Sequence, residues 1–141
     1  MVRGRTTGGF AGAGALAVVL LSALTGCDAL AEREDAAGAA ADRFERSLRA
    51  ADAGRGCAAL APGTREELER TAELPCARAL PDAGLPDAGE VRSVDVYGRQ
   101  ARVVLRRDTL FLSSFPDGWK VTAAGCTPRP ERPYQCLIKG G

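Results

Sequence analysis

The hydrophobic period changes three times along the chain, and each change predicts a different kind of structure. Phe10 to Leu24 is an uncharged apolar run, preceded by Arg3 and Arg5 and ended by Leu24-Thr25-Gly26-Cys27. From Glu34 to Asp52 apolar residues recur at three- and four-residue steps: Ala37, Ala40, Ala41, Phe44, Leu48 and Ala51 form one helical stripe. Asp42 with Arg46 and Glu45 with Arg49 are i,i+4 pairs in the favourable order, expected on the solvated side. The small stripe residues would let this helix sit close to a sheet. Gly54 and Gly56 are expected to stop it, and the charged stretch before it, Asp28 to Asp35, is expected to be a short tether.

Cys57 to Leu60 and Cys76 to Leu80 are expected as short helical turns around a helix of Arg65 to Glu73. Thr64-Arg65-Glu66-Glu67 fits a capping box, in which the Thr64 hydroxyl and the Glu67 carboxylate would satisfy the first free amides. Pro75 ends that helix. Leu80-Pro-Asp-Ala-Gly84 is repeated at once as Leu85-Pro-Asp-Ala-Gly89. Sortase signals of the Leu-Pro-x-Thr-Gly kind need a C-terminal place, an apolar run and a basic tail. None of these follows here, so two successive turns are the expected structure.

From Glu90 onward the period is two. The expected inner face is Val94, Val96, Ala101, Val103, Leu105, Leu110, Leu112, Trp119, Val121 and Ala123, with turns at Gly98-Arg99, Arg107-Asp108 and Pro116-Asp117-Gly118. Connections this short join antiparallel neighbours, which predicts a four-strand meander. The Pro-rich piece Thr127 to Pro133 is not expected to form a ladder, and Tyr134 to Lys139 is expected as an added edge strand. Helices first and a meander second make the fold class α+β.

The apolar N-terminal run, with its basic start and small residues at the end, has the parts of an export signal. A spanning helix needs roughly 20 apolar residues, more than this Gly- and Ala-rich stretch offers. Leu24, Thr25 and Gly26 before Cys27 match the bacterial lipobox, which makes residues 1–26 a lipoprotein signal peptide, 27–35 a lipidated tether and 36–139 the folded domain. By that resemblance the Cys27 thiol carries a diacylglyceryl group. Each buried methylene contributes ~0.8 kcal/mol, so two acyl chains hold the protein at the membrane. The expected place is the extracytoplasmic face of the cell membrane.

Removal of residues 1–26 leaves 115 of the 141 residues, with 17 basic and 18 acidic side chains. That balance excludes a nucleic-acid partner and an electrostatic grip on anionic lipid. With Cys27 committed to lipid, Cys57, Cys76, Cys126 and Cys136 form an even set in a small exported domain, for which three disulfide connectivities exist. Cys57–Cys76 and Cys126–Cys136 are favoured because each brackets one local unit, and the longer loop contributes ~3 kcal/mol. There is no histidine and no Cys-x-x-Cys pair, which argues against a zinc site and against a redox centre.

The element order over residues 34–139, with Asp108-Thr-Leu-Phe-Leu and Gly118-Trp-Lys-Val-Thr in the hairpin, resembles the NTF2-like (cystatin-like cone) superfamily. Ala124-Gly125-Cys126-Thr127-Pro128 resembles small lipoproteins of actinobacteria, and the Ala-, Gly- and Arg-rich composition agrees with a high-GC source. The fold hosts isomerases, dehydratases and inert accessory domains alike. Enzymatic relatives place an acidic base in the cone; Asp95, Tyr97 and Asp108 are the candidates here. Alternation turns Asp95 and Tyr97 outward, and Asp108 is expected in a turn. Without histidine, nucleophile elbow, P-loop or dinucleotide fingerprint, no catalytic residue, metal or cofactor is expected.

A binding module fits better. The outer sheet face is expected to present Tyr97, Val104 and Phe111 among Arg102, Arg106, Lys120 and Thr122. Such a face suits an envelope protein or a homodimer contact. A small apolar ligand in the cone is the alternative, and after it a ketosteroid-isomerase-like enzyme.

Overall fold

The computed structural model describes residues 25–140 together with Gly4 and Gly8. Helix α1 (Thr25–Arg49) leads into α2 (Ala53–Ala59), α3 (Pro62–Ala72), α4 (Cys76–Ala79) and a 3-10 turn (Pro81–Ala83). Five strands follow: β1 (Val91–Tyr97), β2 (Gln100–Leu105), β3 (Thr109–Phe115), β4 (Gly118–Arg129) and β5 (Arg132–Lys139). They pair antiparallel in chain order, β1-β2-β3-β4-β5. The fold is therefore α+β, with N-terminal helices packed on an antiparallel meander.

The core lies between α1 and the sheet. Ala37, Ala41 and Phe44 of α1 are fully buried against Val103, Leu110, Leu112 and Val121. Gly38 shows how close the layers come: a Cβ there would stand 3.2 Å from Val94 Cγ2. α1 begins at Thr25, so the stretch expected as a tether is helical. Its residues 27–32 are exposed and carry no burial stripe, but Ala, Leu, Glu and Arg are strong helix formers and Asp28 complements the helix dipole. Gly54 and Gly56 do not end α1 but lie inside α2. Ala51, at φ 53°, makes the break instead. Gly56 is needed for packing, since a Cβ would meet Leu80 Cδ2 at 2.6 Å.

The capping box does not form. The Ala61 amide donates to the Val121 carbonyl at 2.8 Å and Leu60 bridges Val121 in parallel, which fixes the chain to β4 before the helix starts. α3 then opens on Pro62, whose missing N–H costs nothing in a first turn. Thr64 is left inside the helix, buried, with its hydroxyl donating to the Thr122 carbonyl at 3.0 Å.

Two departures in the sheet each arise at a register shift. Between Phe111 and Leu112 the partner on β4 moves from Ala123 to Val121. The extra residue brings Ala124, which the alternation had not placed inward, into the core cluster, while the expected Ala123 is buried next to it. A second shift lies between Thr127 and Arg129, so Pro128 occupies a position that owes no ladder bond. β4 and β5 thus continue through the Pro-rich piece, pairing Thr127 with Gln135 and Arg129 with Arg132. That piece was expected to be unpaired.

The identical repeats fold differently. Pro81–Ala83 closes a 3-10 turn on Gly84 at φ 71°. In the second copy Ala88 is fully buried, and its carbonyl accepts from the Arg107 amide at 2.9 Å. Tertiary contact decides between two conformations of one pentapeptide.

Candidate functional site

Cys27 is exposed and carries a free thiol in the N-terminal part of α1, whereas the remaining four cysteines are bonded. The apolar run Phe10–Leu24 lies outside the described residues. No helix among the described residues is long and apolar enough to cross a membrane.

The Cys57–Cys76 bond ties α2 to α4 with Cα atoms 6.0 Å apart. Cys126 and Cys136 are direct partners across β4 and β5, 3.9 Å apart. Asp108 supports the second bond. Its Oδ1 accepts the amides of Thr109 (2.7 Å) and Cys126 (2.8 Å), and its Oδ2 accepts that of Gly125 (2.9 Å). Burial raises the Asp108 pKa, against the lowering effect of the three amides. Asp108 lies in the β2–β3 turn, as the sequence predicts, with its carbonyl accepting from the Leu105 amide at 2.8 Å. Its side chain is a buried carboxylate whose two oxygens hold three backbone donors, a clamp from this turn and β3 to β4 rather than a group free to move protons.

Asp95 and Tyr97, the other acid–base candidates, face outward with β1. Asp95 Oδ2 accepts from Arg102 Nη2 at 2.8 Å, and the pair raises the Arg102 pKa through that hydrogen bond first. Tyr97 is 67% exposed. Among the described residues, no three acidic or thiol groups converge to hold a metal ion.

The outer face gathers the residues expected for a partner surface, with changes. Arg102 stands opposite both Asp95 and Phe111, and Val104 opposite Ser93 and Thr109. Phe111 is half-buried, with Tyr134 of β5 edge-on to it at 5.1 Å and 77°. Val104 is half-buried too, so the accessible anchor is Tyr97. Two expected rim residues are occupied elsewhere. Lys120 reaches the Ala58 carbonyl at 3.1 Å, and the Thr122 hydroxyl donates to the Phe111 carbonyl at 3.0 Å. Arg106 is held by Glu90.

Comparison with protein-family models, characterised proteins and solved structures found no match. The site must be read from its own chemistry.

Two features carry no plain sequence signal. Glu45 is 1% exposed in the layer between α1 and the second Pro-Asp-Ala-Gly turn. It receives the Ala88 amide, and its Oε2 has no hydrogen-bond partner. Desolvation is the largest cause of a pKa raised to about 7, with Asp108 and Asp87 adding and Arg49 opposing. The expected Glu45–Arg49 surface pair is absent; Arg49 lies 3.9 Å from Asp87 instead. Spacing held a hint, because Glu45 follows Ala41 by four residues and so borders the apolar stripe. The second feature is a cleft of about 660 Å³ between α1, α2 and the start of β4. Arg43, Arg46, Arg55, Lys120 and Trp119 are on its walls.

Proposed function

We propose that the protein is a lipid-anchored extracytoplasmic lipoprotein of the cell membrane. Its NTF2-like domain acts as a non-enzymatic accessory or protein-binding module. The observation that carries the anchor is the exposed, unbonded thiol of Cys27 directly after Leu24-Thr25-Gly26, in a chain whose other four cysteines are paired. The element order, helices then meander, supports the NTF2-like assignment. The non-enzymatic reading is supported by the state of the acids: Asp95 is neutralised by Arg102 and Asp108 is saturated by amides. Neither meets a cavity with a mobile proton partner.

Cys27→Ala is expected to move the protein from the membrane fraction to the medium, and intact mass of the native protein is expected to show added acyl groups. An unmodified Cys27 in membrane-bound protein would remove the anchor. For the partner surface, Tyr97→Asp is the cleaner test than a change at Phe111 or Val104, because its side chain supports no core contact. Loss of an in-cell crosslink to an envelope protein or to a second copy, with the melting transition unchanged, is the expected outcome. An unaltered crosslinking pattern argues that the outer face binds nothing.

A further inference from the structure

We propose that the cleft beside Trp119 binds a small organic anion: an oxyanion, carboxylate or phosphate, attached to a flat apolar body. This site is separate from the anchor and from the outer sheet face. Its volume of about 660 Å³ falls in the usual range for small-ligand sites, roughly 300–1,000 Å³. Its charge is the first argument. Arg43, Arg46, Arg55 and Lys120 line it together with Asp52 and Asp117. Arg46 is paired with Asp42, Arg55 with Asp52 and Lys120 with Asp117, which leaves Arg43 as the cleft's unpaired positive charge among the described residues.

The donors are also incompletely used. Lys120 is the one cation set into the wall, its side chain 23% exposed. Its ammonium donates to the Ala58 carbonyl and lies 3.2 Å from Asp117 Oδ2, which leaves one of three N–H groups uncommitted. Asp117 is 70% exposed at the rim. An ion pair so open to water is weak, so an entering oxyanion can displace it. Arg43 makes no ion pair and no side-chain hydrogen bond among the described residues, so its guanidinium keeps its planar fork for a carboxylate or phosphate.

The apolar half of the site comes from Trp119 and from small side chains. The indole is half-buried, and Arg33 of α1 stands 5.9 Å from its ring centroid. Alanines at 40, 50, 58 and 59 leave the space in front of it open. A flat ring or a short chain can lie there while its charged end meets Arg43 and Lys120. A purely apolar ligand would leave Arg43 without a partner among the described residues, and an inorganic ion would leave the indole wall unused.

Trp119 is the single tryptophan of the chain, so its emission reports on this site alone. Titration of the lipidated protein in detergent with phenyl phosphate is expected to change that emission saturably. Phenol and inorganic phosphate, each carrying half of the ligand, are expected to bind at least about tenfold more weakly. Arg43→Gln, a change at an exposed side chain, is expected to weaken phenyl phosphate about tenfold, the loss of one charge-assisted contact. Ala58→Phe, which leaves the charges alone and fills the cleft, is expected to abolish the change. Both variants should keep the wild-type melting transition. The proposal is overturned if phenyl phosphate gives no saturable change, if phenol binds as well, or if Arg43→Gln binds with wild-type affinity.

Discussion

Asp108→Ala is expected to lower the unfolding free energy by about 3 kcal/mol, read as a shift in the urea midpoint at constant slope. The carboxylate holds the amides of Thr109, Gly125 and Cys126 at 2.7 to 2.9 Å. The Thr109 and Cys126 bonds are buried. Each buried amide left without an acceptor costs about 1–3 kcal/mol, so the gross loss exceeds the net figure. Part of it is returned because the variant no longer desolvates a charge, the cause that raises the Asp108 pKa. Asp108→Asn separates the two effects. Its oxygen can serve Thr109 and Cys126, but its amide group would face the Gly125 N–H, donor against donor. A loss near 2 kcal/mol is expected for it, by the same scale. If alanine costs under about 1 kcal/mol, the clamp adds nothing to the pairing that already joins β3 and β4.

Asp108 also marks the limit of what the chain discloses in one dimension. The features that depend on a repeating burial pattern were legible: the stripe through Ala37, Ala41 and Phe44, the alternation through Val103, Leu105, Leu110 and Leu112, and the α+β order they imply. Both disulfides join cysteines that bracket one local unit, which is why proximity in sequence was enough to pair them. What was illegible depends on contacts between distant segments. The parallel bridge of Leu60 to Val121 overrode the local capping chemistry of Thr64 and Glu67. One extra residue in β4 added Ala124 to the core cluster, since a strand pattern cannot show where its partner slips. The start of α1 was missed for a different reason: periodicity detects burial, and residues 27–32 are helical without being buried. The cleft combines residues of three elements, so no local window contains Arg43, Arg55 and Lys120 together.

Glu45 illustrates the same limit, with a consequence for pH. Raising the pH from about 4.5 to about 8 is expected to destabilise the domain by about 3 kcal/mol through Glu45 alone. The sign follows from proton binding. With a folded pKa of about 7 against an ordinary value of 4.5, the native state keeps its proton where the unfolded chain has released it, so stability falls as pH rises through this interval. The difference converts at 1.36 kcal/mol per pH unit, giving about 3 kcal/mol. Asp108, also raised, acts in the same direction above its own ordinary value. Glu69 and Glu90, lowered by their hydrogen-bond partners, act in the opposite direction at lower pH, but both are held at the surface, where screening weakens them. Glu45→Gln isolates the buried group. Glutamine keeps an oxygen for the Ala88 amide and cannot ionise, so the variant should lose this part of the slope and exceed the wild type in stability at pH 8. At pH 4.5 the two proteins should differ little, because the native carboxyl is then neutral as well. Parallel stability curves for the two proteins from pH 4.5 to 8 would mean that Glu45 is solvated in the native state and that its packing under Ala88 is looser than the fold implies.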